Sequence, residues 1–475
     1  MEFDDYGSLP RATAVLQAAR CTDPRVGAAR DGDRDRHHRR SGGSPHGDRR
    51  RAARSSRGDH APERENRGRA RKRVAISARH RRHLSVSGSP LARSGVRQLY
   101  FDHSATTPVA PNVREAMLPF LAERYGDPSA AHVLGRACYE AVEDARGQVA
   151  SLLGCDSEEV IFTASGTEAN NLALKGLAFQ QGLSSGGRII ISALEHASVL
   201  EPALFLQRLG FDVAIVPATR DGLISLEAVE QAITSDTLLV SVLLASHEIG
   251  TVQPISKISA ICRAHGVLLH TDAAQAAGKM RIHVDELGVD LLTISAHKMC
   301  GPTGAGALFV RQGVALEPLL HGAGQEAGLR SGCENVAAIV GLGAAAELAA
   351  KSWEASSARL EELRERLLQR LQAQIPERLI VHGQQAPRLP TLLSVAFPRV
   401  NAQELLSRVP ELCASSEAAS GLGTSGSLSP TLAAMGASSE AAAGTIRLSL
   451  GWQTTDEEIE RAASLLVGAW ETLRG

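Results

Sequence analysis

Lys298 is the residue from which the chemistry of this sequence is most readily read. It closes the run SAHK (Ser295–Lys298), just past an apolar stretch, Leu291–Ser295, that reads as a β-strand, and just before the turn-rich GPTGAG. In α/β proteins the C-terminal ends of strands open on the ligand crevice. An amine stripped of water there can condense with a carbonyl to form a Schiff base. Taken singly, Lys298 also reads as an ordinary surface lysine. TDAAQ (Thr271–Gln275) ends the preceding apolar strand. Asp272 within it is placed to pair with a protonated pyridine nitrogen and keep such a ring electron-poor; a helix cap is the plainer reading. TASGTEANN (Thr163–Asn171) joins a strand to a helix through small residues, which presents backbone N–H groups at a positive helix end where a phosphate can sit. Gly166 and Thr167 are its candidate phosphate contacts, and a capping box is the alternative. EHAS (Glu195–Ser198) also follows a strand, and its His196 can stack on a ring or shuttle protons, although a lone histidine is usually inert.

In order and spacing, DHSATTP, SGTEANN, EH, EIGTVQP, TDAAQ, SAHKMCGPTGAGAL, RSGCEN and TIRLSLG resemble the cysteine desulfurase family of fold-type I pyridoxal phosphate enzymes, over about residues 98–475. Selenocysteine lyase is a close relative sharing these motifs. The resemblance implies pyridoxal 5'-phosphate bound to Lys298, with Asp272 at the pyridine nitrogen and His196 stacked over the ring. It puts Gln275 and His247 at the phenolic oxygen, and Gly166, Thr167, Ser295 and His297 around the phosphate. It makes Arg447 the clamp for the substrate carboxylate, a task suited to a bidentate fork. A homodimer is implied, with residue 333 reaching the phosphate of the other subunit. The implied reaction starts when the amine of cysteine displaces Lys298, which then moves the α-proton. A protein thiolate takes the sulfur, alanine leaves, and the persulfide passes to an acceptor protein, as in sulfur metabolism and iron–sulfur cluster assembly.

Several positions depart from the family pattern. The family's persulfide cysteine lies in a loop of the form SSGSAC; here SSEAAS (Ser415–Ser420) puts Ser420 in its place. A hydroxyl, far less acidic than a thiol of pKa about 8.5, forms no persulfide. Cys413, just upstream at the end of a strand-like stretch, is expected to be buried. His247 stands where the family has Asn, Cys333 where it has Thr, and Trp452 where an Arg follows SLG. Histidine can still donate to a phenolic oxygen; a thiol cannot match a hydroxyl's hydrogen bond. Three readings follow: a desulfurase or selenocysteine lyase-like enzyme, a pyridoxal phosphate C–S lyase working without a persulfide, or a cofactor-binding protein without that activity that serves as a partner or scaffold.

The elements that must position these residues form an α/β pattern. From Leu99 onward, short apolar runs alternate with helical stretches, as in a parallel sheet covered on both faces. Strands are expected at 160–163, 188–192, 212–216, 238–245, 267–271, 291–295 and 307–310, and helices at Glu168–Phe179 and Leu226–Ile233. Further on come a charged helix, Ser356–Gln374, strand-like pieces at 379–382 and 392–397, and a closing helix, 455–473. The fold expected is that of a fold-type I transferase: a mostly parallel seven-stranded sheet in a large domain (110–352), and a smaller α+β domain (98–109 and 353–475) carrying a mobile Ser/Gly-rich loop, 414–443.

At 475 residues with net charge −1 and 43% hydrophobic residues, the chain is a multidomain globular protein by composition. Arginine crowds 25–82, and residues 1–97 lack apolar periodicity, so they are expected to be a disordered extension. Nucleic-acid binding by that arm is the minor alternative. The longest apolar run, Leu238–Ala245, is far shorter than the roughly 20 residues of a membrane span, and no basic-then-apolar leader opens the chain, so a cytoplasmic location without membrane contact is expected. Seven cysteines without CxxC pairing argue against a disulfide framework and a zinc site.

Overall fold

The computed structural model describes residues 98–182, 186–416 and 429–474. The expectations for residues 1–97 and for Ser420 lie outside the described residues. The strands run in chain order as β1 (Leu99–Tyr100), β2 (Val160–Thr163), β3 (Arg188–Ser192), β4 (Asp212–Val216), β5 (Thr237–Ser241), β6 (Leu268–Asp272), β7 (Leu291–Ser295), β8 (Gly306–Val310), β9 (Ile380–Val381), β10 (Leu392–Ala396), β11 (Leu412–Cys413), β12 (Ser415–Ser416) and β13 (Thr445–Ser449).

Strands β2 to β8 form one seven-stranded sheet in the order β2-β8-β7-β6-β5-β3-β4. All of its pairings are parallel except those made by β8, which runs antiparallel to both neighbours. Strands β2, β7 and β8 are buried at every position, as a sheet covered on both faces demands. The expected strand 238–245 ends its ladder at Ser241. Beyond it the chain stays buried and bonds singly to β6, Val242 N to His270 O (3.1 Å) and Leu244 N to Asp272 O (2.9 Å). A second sheet, β12-β13-β10-β9, is antiparallel, and β1 pairs with β11.

Two expectations are corrected. The helix expected to start at Ser356 starts at Val336 and runs 39 residues to Gln374, so it passes straight through the 352/353 division. Its first half is Ala- and Gly-rich and shows no charged face, because it lies in the core. A Cβ at position 343 would stand 2.6 Å from Ala145 Cβ, so Gly343 allows the close approach to the helix Val133–Leu153. The stretch 414–443, expected as a loop throughout, contains the helices Pro430–Ala434 and Ser439–Ala443. Its serines include N-caps: Ser429 Oγ accepts from Leu432 N and Ser438 Oγ from Ala441 N.

Candidate active site

Strand β7 ends at Ser295 and passes into a single helical turn, Ala296–Lys298, which turns Lys298 back over the sheet's C-terminal edge. Its Nζ donates to the carbonyls of Ser104 and Ala105, the latter at 2.8 Å. Burial, and then the positive charge of Arg447, push the Lys298 amine down to about 8, with Asp272 and Asp102 acting in the opposite direction. An ammonium of that pKa gives up its proton near neutrality far more readily than an ordinary lysine.

Asp272, the last residue of β6, is buried. Its Oδ2 accepts from Asn170 Nδ2 at 2.8 Å and its Oδ1 from Ala274 N at 2.9 Å. Asn170 Nδ2 also donates to Ser198 Oγ at 2.8 Å, and that hydroxyl lies 2.7 Å from His196 Nδ1. His196 caps the helix Ala197–Arg208, accepting from Ser198 N at 3.1 Å. Burial pushes its pKa down, opposed by Asp272 and reinforced by Lys298. The ring of His247 meets that of His196 edge-on, with centroids 5.2 Å apart. Burial, and then the charges of His196, Arg447 and Lys298, push His247 well below the usual imidazole range, while its Nε2 lies 3.5 Å from Glu248 Oε1. Gln275 is buried and donates through Nε2 to Ser104 O at 2.8 Å.

On the other side of Lys298 the turn after β2 enters the helix that starts at Gly166. Ser165 caps this helix, its Oγ accepting from Glu168 N at 3.1 Å. Gly166 packs against Ser295: a Cβ at 166 would stand 3.3 Å from Ser295 Cβ. His297 Nδ1 lies 3.2 Å from Thr106 Oγ1. Thr167 is exposed and, with His196, lines a recess of about 460 Å³. Lys298 lines a different cavity of about 480 Å³, with His103, Thr107, Lys279 and Cys300.

Arg447 sits in the middle of β13, buried. It donates through Nη1 to His247 O (3.1 Å), and through Nη2 to Asp102 Oδ1 (3.0 Å) and Ser415 Oγ (3.1 Å). Cys333 is exposed and lines a recess of about 200 Å³ with Thr163, Ala164 and Arg330. Cys413 is half-buried on β11, and burial followed by Asp102 raises its thiol pKa, which disfavours the thiolate. The structure thus gathers Lys298, Asp272, His196, His247, Gln275 and Arg447 into one electrostatic neighbourhood. The sequence reading missed the residues that tie them together: Asp102, Ser104, Asn170 and Ser198, all inside the quoted motifs or beside them.

The residues fit pyridoxal 5'-phosphate. A depressed amine can meet an aldehyde, and a buried carboxylate can face a ring nitrogen. At Gly166, where a Cβ would crowd Ser295, small side chains and the first amides of a helix leave space for an anion. Comparison with known proteins agrees. Residues 99–462 match the family described as Aminotransferase class-V. A cysteine desulfurase IscS from Dictyoglomus turgidum is 41% identical over 381 residues, covering 80% of this chain and 96% of its own. Among solved structures, a NifS-like protein superposes with a TM-score of 0.73 at 35% identity, over 79% of this chain and 99% of its own. SspA in complex with cysteine does so with a TM-score of 0.66 at 38% identity, over 74% and 98%. The chain therefore belongs to the class V aminotransferases and, within them, to the cysteine desulfurases, enzymes that depend on pyridoxal 5'-phosphate.

Proposed function

We propose that this protein removes sulfur from L-cysteine, or selenium from selenocysteine, and leaves L-alanine, with Lys298 as the residue that carries the cofactor and moves the substrate's α-proton. The observation that carries this reading is that the Lys298 amine is held at the end of β7 by the Ser104 and Ala105 carbonyls, the former shared with Gln275, where Asp272 and Arg447 both act on its charge. The names of the IscS relative and of the cysteine complex support the substrate. When bound, pyridoxal 5'-phosphate supplies an electron-poor ring that lets the α-carbon of an attached amino acid lose a proton.

The other tasks fall to this chain's residues. Asp272 holds negative charge at the ring nitrogen's place, with Asn170 fixing its orientation. Gly166, Thr167, Ser295 and His297 would hold the phosphate, and His196 would pack against the ring. Gln275 and His247 would supply N–H donors to the ring oxygen. Arg447, braced by Asp102 and Ser415, receives the substrate carboxylate. Burial depresses the Lys298 amine to about 8, so it gives up and takes back a proton near neutrality more readily than an ordinary lysine.

Ser420 favours a second reading, in which the C–S bond breaks by β-elimination and sulfide leaves together with pyruvate and ammonia, a route that needs no thiol at that position. The test is to measure alanine, pyruvate and sulfide (or selenide) from both amino acids, with and without reductant, on the purified protein. Turnover that needs reductant to discharge a persulfide supports transfer to a protein thiol and then to an acceptor protein. Sulfide release indifferent to reductant supports the second reading. A cofactor-loaded protein that makes neither alanine nor sulfide from either amino acid is a scaffold, and the proposal fails.

A homodimer is part of the same proposal. Leu118, Leu121, Tyr125, Val133 and Tyr139 are all more than half exposed within one short segment, a density of apolar surface that suits a second copy of the chain. Light scattering that returns the mass of one chain would refute it.

A further inference from the structure

Lys279 is a buried cation that none of these steps uses. It is 9% exposed and ends the turn that follows β6, and among the described residues no carboxylate forms a salt bridge with it. Its Nζ donates instead to Gln275 Oε1 at 3.0 Å, while Gln275 Nε2 donates to Ser104 O at 2.8 Å. The same Ser104 carbonyl accepts from Lys298 Nζ. A continuous chain of hydrogen bonds therefore links Lys279 to Lys298 through one amide and one carbonyl. Burying an ammonium is costly when no anion offsets it, so its presence here calls for a reason.

The amide supplies one. A glutamine carries an acceptor on one prong and two donors on the other, and its partners decide which way round it lies. While protonated, Lys279 can only donate, and the Ser104 carbonyl can only accept. Between Lys279 and Ser104 O, a single orientation satisfies both. In that orientation one N–H of Gln275 binds Ser104 O and the other is left for the ring oxygen of the cofactor.

We propose that Lys279 is a positioning residue that locks the Gln275 amide with its donors toward the cofactor's ring oxygen and toward the carbonyl that holds Lys298. The inference rests on the reading that places Gln275 at that oxygen. Burial, and then the charges of Lys298 and Arg447, push the Lys279 amine down to about 7, while the Cys300 thiol acts the other way. His103, in the same cavity, is depressed to about 4 by burial and by Lys279.

The experiment compares wild type, Lys279→Met, Gln275→Leu and the double variant as full-length proteins. The apoproteins are titrated with pyridoxal 5'-phosphate, and the pH midpoint of the visible absorbance is followed in the loaded forms. Lys279→Met is expected to bind the cofactor about tenfold more weakly, the effect of losing one charge-assisted hydrogen bond, and to move the midpoint. Added to Gln275→Leu, it is expected to change neither quantity further. Lys279→Arg, which keeps the donor, should recover most of the affinity. Because the buried charge opposes folding below its pKa, Lys279→Met should melt no lower than wild type at about pH 6. If Lys279→Met does not fold, Lys279→Ala takes its place. Unchanged affinity and midpoint in the Lys279 variant, additive effects in the double variant, or a lower melting temperature as the only change would each overturn the proposal. A Gln275→Leu protein that matches wild type would remove its premise and overturn it too. Wild-type protein that takes up no cofactor would defeat the proposed function as well, which sets that failure apart from the others.

Discussion

The seven-stranded sheet and the four-stranded sheet contribute to the site in different ways. In the large sheet, Asp272, Ser295 and Lys298 stand at or just past the ends of parallel strands, where the ladder has stopped and the chain turns into loops and helix starts. In the small sheet, Arg447 lies mid-strand between Ser394 on β10 and Ser415 on β12. Its guanidinium is braced by an acid, a hydroxyl and a carbonyl. Lys298, the group that must change protonation and partner, stands past the end of a strand, and Arg447, the charge that must stay still, occupies a ladder with neighbours on both sides.

If that division is right, replacing Lys298 should have the largest effect. Lys298→Ala should lose the visible absorbance of the bound cofactor and lower alanine formation by at least about 10³-fold, the scale of a lost proton-transfer group. Absorbance that survives would mean the cofactor is attached elsewhere. Arg447→Lys, which keeps the charge but loses the fork, should raise KM for cysteine by roughly 10- to 100-fold with a much smaller change in kcat. A fall in kcat with KM unchanged would give Arg447 a role in the chemistry and blur the comparison. The smallest effect is a pH dependence. Only the neutral amine attacks an aldehyde, so capture of pyridoxal 5'-phosphate by the apoprotein should speed up as pH rises toward about 8 and then level off. Stopped-flow absorbance would show a climb continuing to pH values typical of free lysine if the site did not depress this amine.

Much of the large sheet was legible because buried parallel strands read as short apolar runs between helical stretches, and the residues at their ends stood in compact motifs. What the sequence hid was the wiring between motifs. Asn170 and Ser198 connect Asp272 to His196 across chain separations that no local pattern reveals. Gln275 and Lys279 show helical spacing, yet their meaning depends on the Ser104 carbonyl, 171 residues before Gln275. The first half of the helix Val336–Gln374 gave no amphipathic stripe because alanine and glycine bury it nearly all round. The serines of 414–443 read as loop because composition does not distinguish a helix cap from a linker.

That long helix has a thermodynamic consequence. Its residues up to Ala349 belong to one hydrophobic core and those from Leu360 to another, and none between 350 and 359 is buried. A rod shared in this way ties the melting of each core to the other, because unwinding either end removes helical turns on which its neighbour propagates. Calorimetry should therefore record one endotherm for both cores, and two well-separated peaks would show that residues 350–359 uncouple them.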